Sequence, residues 1–375
     1  MAVRICSSEV RTCLGDGAAT FAGLLESACG ARPLRHLPSQ ALNVGYGYQM
    51  IEEEGVEEGW FRASQWLTTC IAGALASSAV DATRDRVVAV IGTGLRELRA
   101  VERAALESSS FPIERLHFGR AVREACPQIR DVITISNACS AGGHALAVAQ
   151  DLIELGEVDA AIVGAADSMT ASMLAMIGRF AERTAARVRP FDADRVGALL
   201  GDGAAAVVLI PDEPSRPGLG RLMCTGLSCD AAHETVPDGG GVRRAIDDAL
   251  ARAGAAPEEI DLIVAHGTGT LLNDPMEAAV LRSFPALSRH AVITAVKGAV
   301  GHNSGAAALI SLDVALRCLR TGRVPPVCGL EHPLQEGLGL PFVIGRPIER
   351  RGRRAQVNAF GFGGINAITL VEALE

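Results

Sequence analysis

Three side chains stand out by type and setting. Cys139 lies in SNACSAGGHAL (136–146), His266 in LIVAHGTGT (262–270) and His302 in KGAVGHNSG (297–305). Each follows an apolar, strand-like run and is flanked by small residues, the setting in which ligands collect at the C-terminal ends of strands in α/β sheets. Cys139 precedes an alanine-rich helical pattern. Unpaired N–H groups and the macrodipole at a helix N-terminus favour a thiolate, so the placement predicts an activated thiol. Read alone, the stretch fits a small core residue as well as a nucleophile. With the two histidines the set can activate a thiol, donate hydrogen bonds to a carbonyl and stabilise developing negative charge.

Lys297 joins this group for a different reason. The chain has 35 basic residues, 34 of them arginine and one lysine. A single lysine kept where arginine is otherwise universal, directly after the run AVITAV, marks a position that needs a compact ammonium rather than a planar fork.

The elements that must position these residues follow from periodicity. Strand-like runs occur at Arg86–Ile91, Val132–Ile135, Asp159–Val163, Ala204–Ile210, Leu262–Ala265 and Ala291–Val296, with helical patterns at Ala141–Leu155, Val242–Ala253 and Ala306–Leu319. Such alternation predicts a largely parallel sheet covered on both faces. The segments beginning at Ile133 and Ile293 share one plan: strand, small-residue turn, apolar helix, charged turn. That layout points to a pseudo-twofold pair of halves. A boundary falls in the Pro- and Gly-containing stretch 211–218, which gives an N-terminal half, 1–213, carrying Cys139, and a C-terminal half, 214–375, carrying both histidines.

Composition removes several classes. At 375 residues the chain can bury a large core, and its 49% apolar and 21% charged content is that of a globular protein. A net charge of −8 argues against nucleic acid as a partner. No apolar run is long enough to span a membrane, and the first residues form no recognisable signal peptide, so a cytoplasmic location is expected. The ten cysteines are scattered without a C-x-x-C pair, which predicts free thiols and no metal site. Gly92-Thr93-Gly94 lacks the third glycine of a dinucleotide fingerprint. The acidic residues of RPFDADR are expected to fix a loop.

Four blocks in order carry a family likeness: NACSAGGHA, RPFDADRVGALLGDGAAAVVL, VAHGTGTLLNDPMEA with KGAVGHNSGAA, and VNAFGFGGINA. The chain resembles the elongating β-ketoacyl-acyl carrier protein synthases of the thiolase superfamily, the Cys-His-His type. The resemblance implies an α/β thiolase fold in five layers, α-β-α-β-α. It also implies decarboxylative condensation of an acyl group on Cys139 with a malonyl-type extender, in fatty acid or polyketide-type biosynthesis. His266, His302 and Lys297 complete the catalytic set. The backbone of Cys139 and Phe362 forms the oxyanion hole, with Phe362 as a gate between Gly361 and Gly363. No cofactor is implied, since substrates ride on the phosphopantetheine of an acyl carrier protein. The partners are that carrier protein, with Arg120, Arg123, Arg130 and Arg189 as candidate contacts, and a second subunit in a homodimer or in a heterodimer with a ketosynthase-like chain. Two alternatives stand beside it: an acyltransferase on the same fold that works without decarboxylation, and a ketosynthase-like partner subunit that supports an active ketosynthase in a heterodimer.

Two departures are visible. Where the family places a glutamate nine residues after the second histidine, this chain has Ser311, which leaves Asp274 or Glu277 as partners for Lys297 near His302. The region between Trp60 and Pro127 is short for the family, so a reduced cap over the acyl channel is expected.

Overall fold

The computed structural model describes residues 3–37, 42–50, 59–180 and 185–374. Ten strands organise it: β1 Val3–Thr12, β2 Val87–Gly92, β3 Val132–Ile135, β4 Ala160–Asp167, β5 Gly203–Pro211, β6 Gly220–Cys229, β7 Leu262–Val264, β8 Val292–Thr294, β9 Arg354–Gly361 and β10 Ile365–Glu372. From the centre outward, one half runs β1-β5-β4-β2-β3 and the other β6-β10-β9-β7-β8. Numbered within its own half, each reads first, fifth, fourth, second, third. Both halves therefore have one topology, and they join where Val3–Ile5 of β1 pairs antiparallel with Gly220–Leu222 of β6.

The sheet is mixed rather than largely parallel. β2, β3 and β4 run parallel, as do β7, β8 and β9, but β1, β5, β6 and β10 pair antiparallel. Except for β9, the parallel strands are short apolar runs joined by helices, which sequence periodicity finds. β1 mixes charge into its run (VRICSSEVRT), because buried Arg4 is paired with Asp212 at 2.8 Å, and it escapes a hydrophobicity scan.

Seven helices matter here: α1 Gly17–Leu25, α2 Arg62–Ala76, α3 Ala141–Glu154, α4 Ala171–Phe180, α5 Gly239–Ala253, α6 Asn273–Arg282 and α7 Ala307–Thr321. Helix α3 is apolar nearly all round, and α7 is buried from Ala307 to Leu316. A helix without a polar face must lie between two other layers. Both sit in one core with strands of both halves, including Val163, Val207, Val264 and Val357. At their crossing Gly142 has no room for a side chain, since a Cβ would lie 2.8 Å from the Gly305 carbonyl. A second core places α5 and α6 outside the C-terminal half, and a third places α2 outside the N-terminal half. Helix, strands, paired central helices, strands and helix make the five layers.

Helix α5 begins at Asp238, whose carboxylate accepts from the Gly241 N–H, and stops at Gly254 in the left-handed conformation. All ten cysteines are free thiols. No described helix is long and apolar enough to cross a membrane.

Candidate active site

Cys139 occupies a single 3₁₀ turn, Ala138–Ser140, between β3 and α3. Ala138 holds a left-handed φ of 58°, a cost for a residue with a side chain that turns the chain sharply and presents Cys139 to the cavity. The cavity has a volume of about 530 Å³ and is predominantly apolar. Cys139, His266 and His302 all line it, so residues from both halves meet at one place.

Desolvation overrides the activation expected for Cys139, although the residue is half-buried. Desolvation pushes its thiol up to about 11, against the opposing pull of the Lys297 ammonium and of the N–H groups of Cys139 and Phe362. At neutral pH Cys139 is therefore a thiol rather than a thiolate. The two N–H groups that favour the thiolate belong to residues lining the cavity, where they could also meet an oxyanion formed beside the sulfur.

The histidines are set up as donors. His302 is clamped by its own backbone: its N–H donates to Leu199 O at 2.8 Å, and its carbonyl accepts from Gly201 N at 3.0 Å. Its ring Nδ1 accepts from the Ser304 N–H at 3.2 Å, which leaves the proton on Nε2. In His266, Nδ1 faces Lys297 Nζ at 3.2 Å and the Phe360 N–H at 3.4 Å, so its proton also belongs on Nε2. Burial and the Lys297 charge hold both rings well below the usual histidine range, and both stay neutral. The rings stand edge to face, 5.4 Å apart.

Lys297 corrects the sequence reading in one respect. Its ammonium serves His266, through Nδ1 and the backbone carbonyl, rather than His302. Neither Asp274 nor Glu277 forms an ion pair with it among the described residues. Glu277 accepts from the N–H groups of His266 and Gly267 and from Asn358 Nδ2, while Asp274 accepts from Phe191, Thr268 and Gly269. These carboxylates hold the His266 loop in place. Without a carboxylate at contact distance, burial lowers Lys297 to about 8. Ser311 is buried in α7.

The acidic residues of RPFDADRVGALLGDG likewise hold loops in place. Asp192 accepts from the N–H groups of Asp194, Glu331 and His332, and Asp202 from those of Met50 and Met169. Among the described residues, no group of His, Cys, Asp or Glu is placed to hold a metal ion.

Phe362 lies at the cavity mouth and is 46% exposed. Gly363 and Gly364 follow with φ of 84° and 72°, and a Cβ on Gly364 would collide with the Asp230 carboxylate, so the turn after Phe362 requires glycine. The far wall comes from α4 (Met173, Met176, Ile177) with Val44 and Leu200, while the segment 60–127 contributes only Gly94. None of the four candidate arginines lines the cavity. Arg189 is drawn inward to Asp192 at 2.9 Å, and Arg120 pairs with Glu124 at 2.8 Å. Arg123 and Arg130 are exposed.

What the sequence reading missed is the supporting shell. Asp167, at the end of β4, accepts from Thr93 Oγ1 and from the N–H groups of Gly94, Leu95 and Gly305, tying both halves beneath the site. Nothing in the local sequence around Asp167 announces partners 74 and 138 residues away.

Comparison with known proteins agrees with this architecture. The N-terminal domain model of the β-ketoacyl synthases matches residues 131–215, and the C-terminal domain model matches 219–331. A 3-oxoacyl-[acyl-carrier-protein] synthase 2 from Mycobacterium tuberculosis (strain ATCC 25618 / H37Rv) is 34% identical over 249 residues, 63% of this chain and 59% of that protein. Nodulation protein E of Rhizobium meliloti is 33% identical over 243 residues, covering 63% of this chain and 60% of its own. The matches thus span about three-fifths of these relatives' length. The solved structure described as the ishigamide ketosynthase/chain length factor superposes with a TM-score of 0.90 at 28% identity, over 100% of this chain and 99% of that one. Motifs, topology and family models converge: the chain is a member of the β-ketoacyl synthase family, with the thiolase fold.

Proposed function

We propose that the chain is a condensing ketosynthase acting on acyl groups delivered by an acyl carrier protein. One observation supports this reading: Cys139, Phe362, His266 and His302 line one cavity, and they supply two separate pairs of N–H donors, each suited to stabilise an anion. One is the pair of backbone N–H groups at Cys139 and Phe362. The other is the pair of Nε2–H donors on His266 and His302. Simple acyl transfer develops charge on one carbonyl at a time, whereas condensation needs a second site for the enolate of the extender.

In the first half-reaction Cys139 attacks the acyl thioester, and its oxyanion rests on the two N–H groups. The C–S bond to the carrier breaks, and the thiol proton leaves with the released pantetheine sulfur, so no net proton is consumed. In the second, a malonyl thioester binds with its carbonyl oxygen on the two imidazoles. The C–C bond to its carboxylate breaks, CO₂ leaves, and the electron pair becomes an enolate held by the Nε2–H groups. The enolate carbon attacks the Cys139 thioester. The resulting tetrahedral oxyanion collapses to a 3-oxoacyl product on the carrier and a Cys139 thiolate, which takes one proton. Neutral imidazoles suit this step, since an imidazolium would protonate the enolate before it could attack. The apolar wall formed by α4, Val44 and Leu200 favours a hydrocarbon acyl chain over a polar one.

The test is to incubate the purified chain with acyl-carrier protein and carboxyl-labelled malonyl-carrier protein. Acyl-enzyme detected by intact mass, together with released label and a 3-oxoacyl product, is the expected result. Acyl-enzyme without released label would establish the acyltransferase alternative. No acyl-enzyme until a ketosynthase-like subunit is added would make this chain one half of a heterodimer.

A further inference from the structure

A second group of thiols lies away from the cavity, behind the helical turn Lys297–Val300. Cys29 is exposed in the segment after α1, and Cys328 is buried in the segment after Pro325-Pro326. Cys328 Sγ donates to the carbonyls of Ser27 and Ala28 at 3.5 and 3.7 Å, which brings it against the chain entering Cys29. Ala28 is bonded to Cys29, so the Cys328 sulfur packs on the peptide unit that leads into the second thiol. Cys29 Sγ is 3.8 Å from Tyr48 Oη, which donates to Gly298 O at 3.0 Å and accepts from the Val188 N–H at 2.9 Å. Gly298 follows Lys297 directly. A Cβ on it would collide with the Cys328 carbonyl, so this backbone touches the active-site turn.

We propose that Cys29 and Cys328 form a dithiol modification site for hydroperoxides, with Cys29 as the exposed attacking thiol and Cys328 as the buried resolving thiol. The Cys29 thiolate attacks one oxygen of the hydroperoxide. The O–O bond breaks, an S–O bond forms, and the released alkoxide or hydroxide takes a proton to leave as alcohol or water. Cys328 then attacks the sulfenic sulfur, the S–O bond breaks, water departs with the Cys328 proton, and a disulfide remains. A dithiol reductant reverses it. The bond would tie the segment after α1 to the strand-connecting segment that backs Lys297, across nearly the full length of the chain.

The local chemistry distinguishes this thiol from the nucleophile. The neighbouring Cys328 side chain holds Cys29 well below the ordinary thiol range, helped by the Ala31 N–H, Tyr48 and the Arg187 charge, whereas desolvation holds Cys139 well above it. Peroxide therefore meets a ready thiolate at Cys29 and a neutral thiol at Cys139. Cys13, the nearest other thiol, is not equipped to compete: burial pushes it up to about 12, and it points at Ala299 O at 3.9 Å.

The experiment treats the intact chain with limiting hydrogen peroxide at neutral pH, blocks the remaining thiols with an alkylating reagent and maps peptides without reduction. A Cys29–Cys328 linked peptide is expected, removed by dithiothreitol and absent from Cys29→Ser and Cys328→Ser. In Cys328→Ser the intermediate has no resolving partner, so dimedone should label Cys29. The oxidised wild type should unfold several degrees above oxidised Cys29→Ser, because a cross-link over so long a loop restricts the unfolded chain. Circular dichroism of the reduced variants confirms that they fold, and exposed Cys29 provides the variant least disturbing to the core. Oxidation of Cys139 ahead of Cys29, a Cys13–Cys29 link, or no linked peptide while peroxide is consumed would each overturn the proposal.

Discussion

The two halves build the same turn and use it differently. In the N-terminal half, two residues (136–137) separate the end of β3 from Ala138, with its left-handed φ of 58°; Cys139 follows, and α3 begins at Ala141. In the C-terminal half, nine residues (295–303) separate the end of β8 from Ser304, with φ 48°; Gly305 follows, and α7 begins at Ala307. The longer connection contains Lys297 and His302. Each turn also faces the end of the other half's fourth strand. The Gly305 N–H donates to the Asp167 carboxylate at the end of β4, at 2.7 Å. The Cys139 turn meets Gly361 and Phe362 at the end of β9, where the partner is a second N–H rather than an acceptor. One turn has its donors satisfied by the protein's own carboxylate and is structural. In its counterpart no carboxylate takes that place, and the proposed function assigns its donors to a substrate oxygen.

The sharpest break of this comparison is Cys139→Ala, which should fold normally and lose acyl loading completely, measured by intact mass. Loading that survives would mean the N-terminal turn does not carry the nucleophile. Next in size is the pH response of Cys139 itself. With its thiol at about 11, alkylation by iodoacetamide should rise about tenfold per pH unit from pH 7 to 10. Cys29, already a thiolate, should be nearly flat over the same range and should label first at pH 7. A flat response at Cys139 would show that the helix start, rather than desolvation, governs it.

The C-terminal half is broken by its histidines. His266→Ala and His302→Ala should retain acyl loading yet lose malonyl decarboxylation by about 10²-fold or more, since each removes a donor to the enolate oxygen. Equal losses in both steps would argue against separate anion sites.

These predictions rest partly on what the sequence already displayed. Cys139, His266 and His302 are legible because each sits among small residues at the end of an apolar run, and local patterning reports such places. Most of the parallel strands and the two central helices are legible for the same reason. Strands β1, β6, β9 and β10 are not; in β1, burial depends on the pairing of Arg4 with Asp212. The protonation state of Cys139 is likewise set by its surroundings: a helix N-terminus is visible in sequence, but the desolvating, apolar cavity around this half-buried residue is not. Lys297 shows both sides. Its rarity singled it out, yet its contact with His266 spans a loop whose path depends on Glu277 and Asp274.

The structural turn should respond in the opposite sense to the catalytic one. Gly305→Ala would place a Cβ 2.7 Å from the backbone of Thr93 and Gly94. Overpacking of that kind costs about 1–3 kcal/mol, read as a lower unfolding midpoint in urea. Asp167→Asn keeps one good acceptor where four donors converge and should cost about 2–3 kcal/mol. Cys139→Ala, at the equivalent position of the other turn, should leave stability nearly unchanged. Comparable losses at Cys139 and Gly305 would erase the distinction between the two turns.

The smallest effect belongs to Lys297, which acts through His266. Its ammonium faces Nδ1 of that ring and so fixes the proton on Nε2, where the enolate needs it. Lys297→Met should lower decarboxylation about tenfold, the worth of one charge-assisted hydrogen bond, and leave loading alone. Lys297→Arg should do no better, because a planar fork needs acceptors that this buried pocket lacks. The pH profile separates positioning from packing. With Lys297 at about 8, its charged form predominates below that pH, and decarboxylation should fall as pH rises through it. The Met variant should lose that limb. Stability should move the other way. The unfolded lysine titrates near 10.4, so between about 8 and 10 the unfolded chain binds more protons than the folded one, and Lys297 adds stability as pH rises. A Met variant that is slower but keeps the wild-type limb would show that Lys297 only fills space.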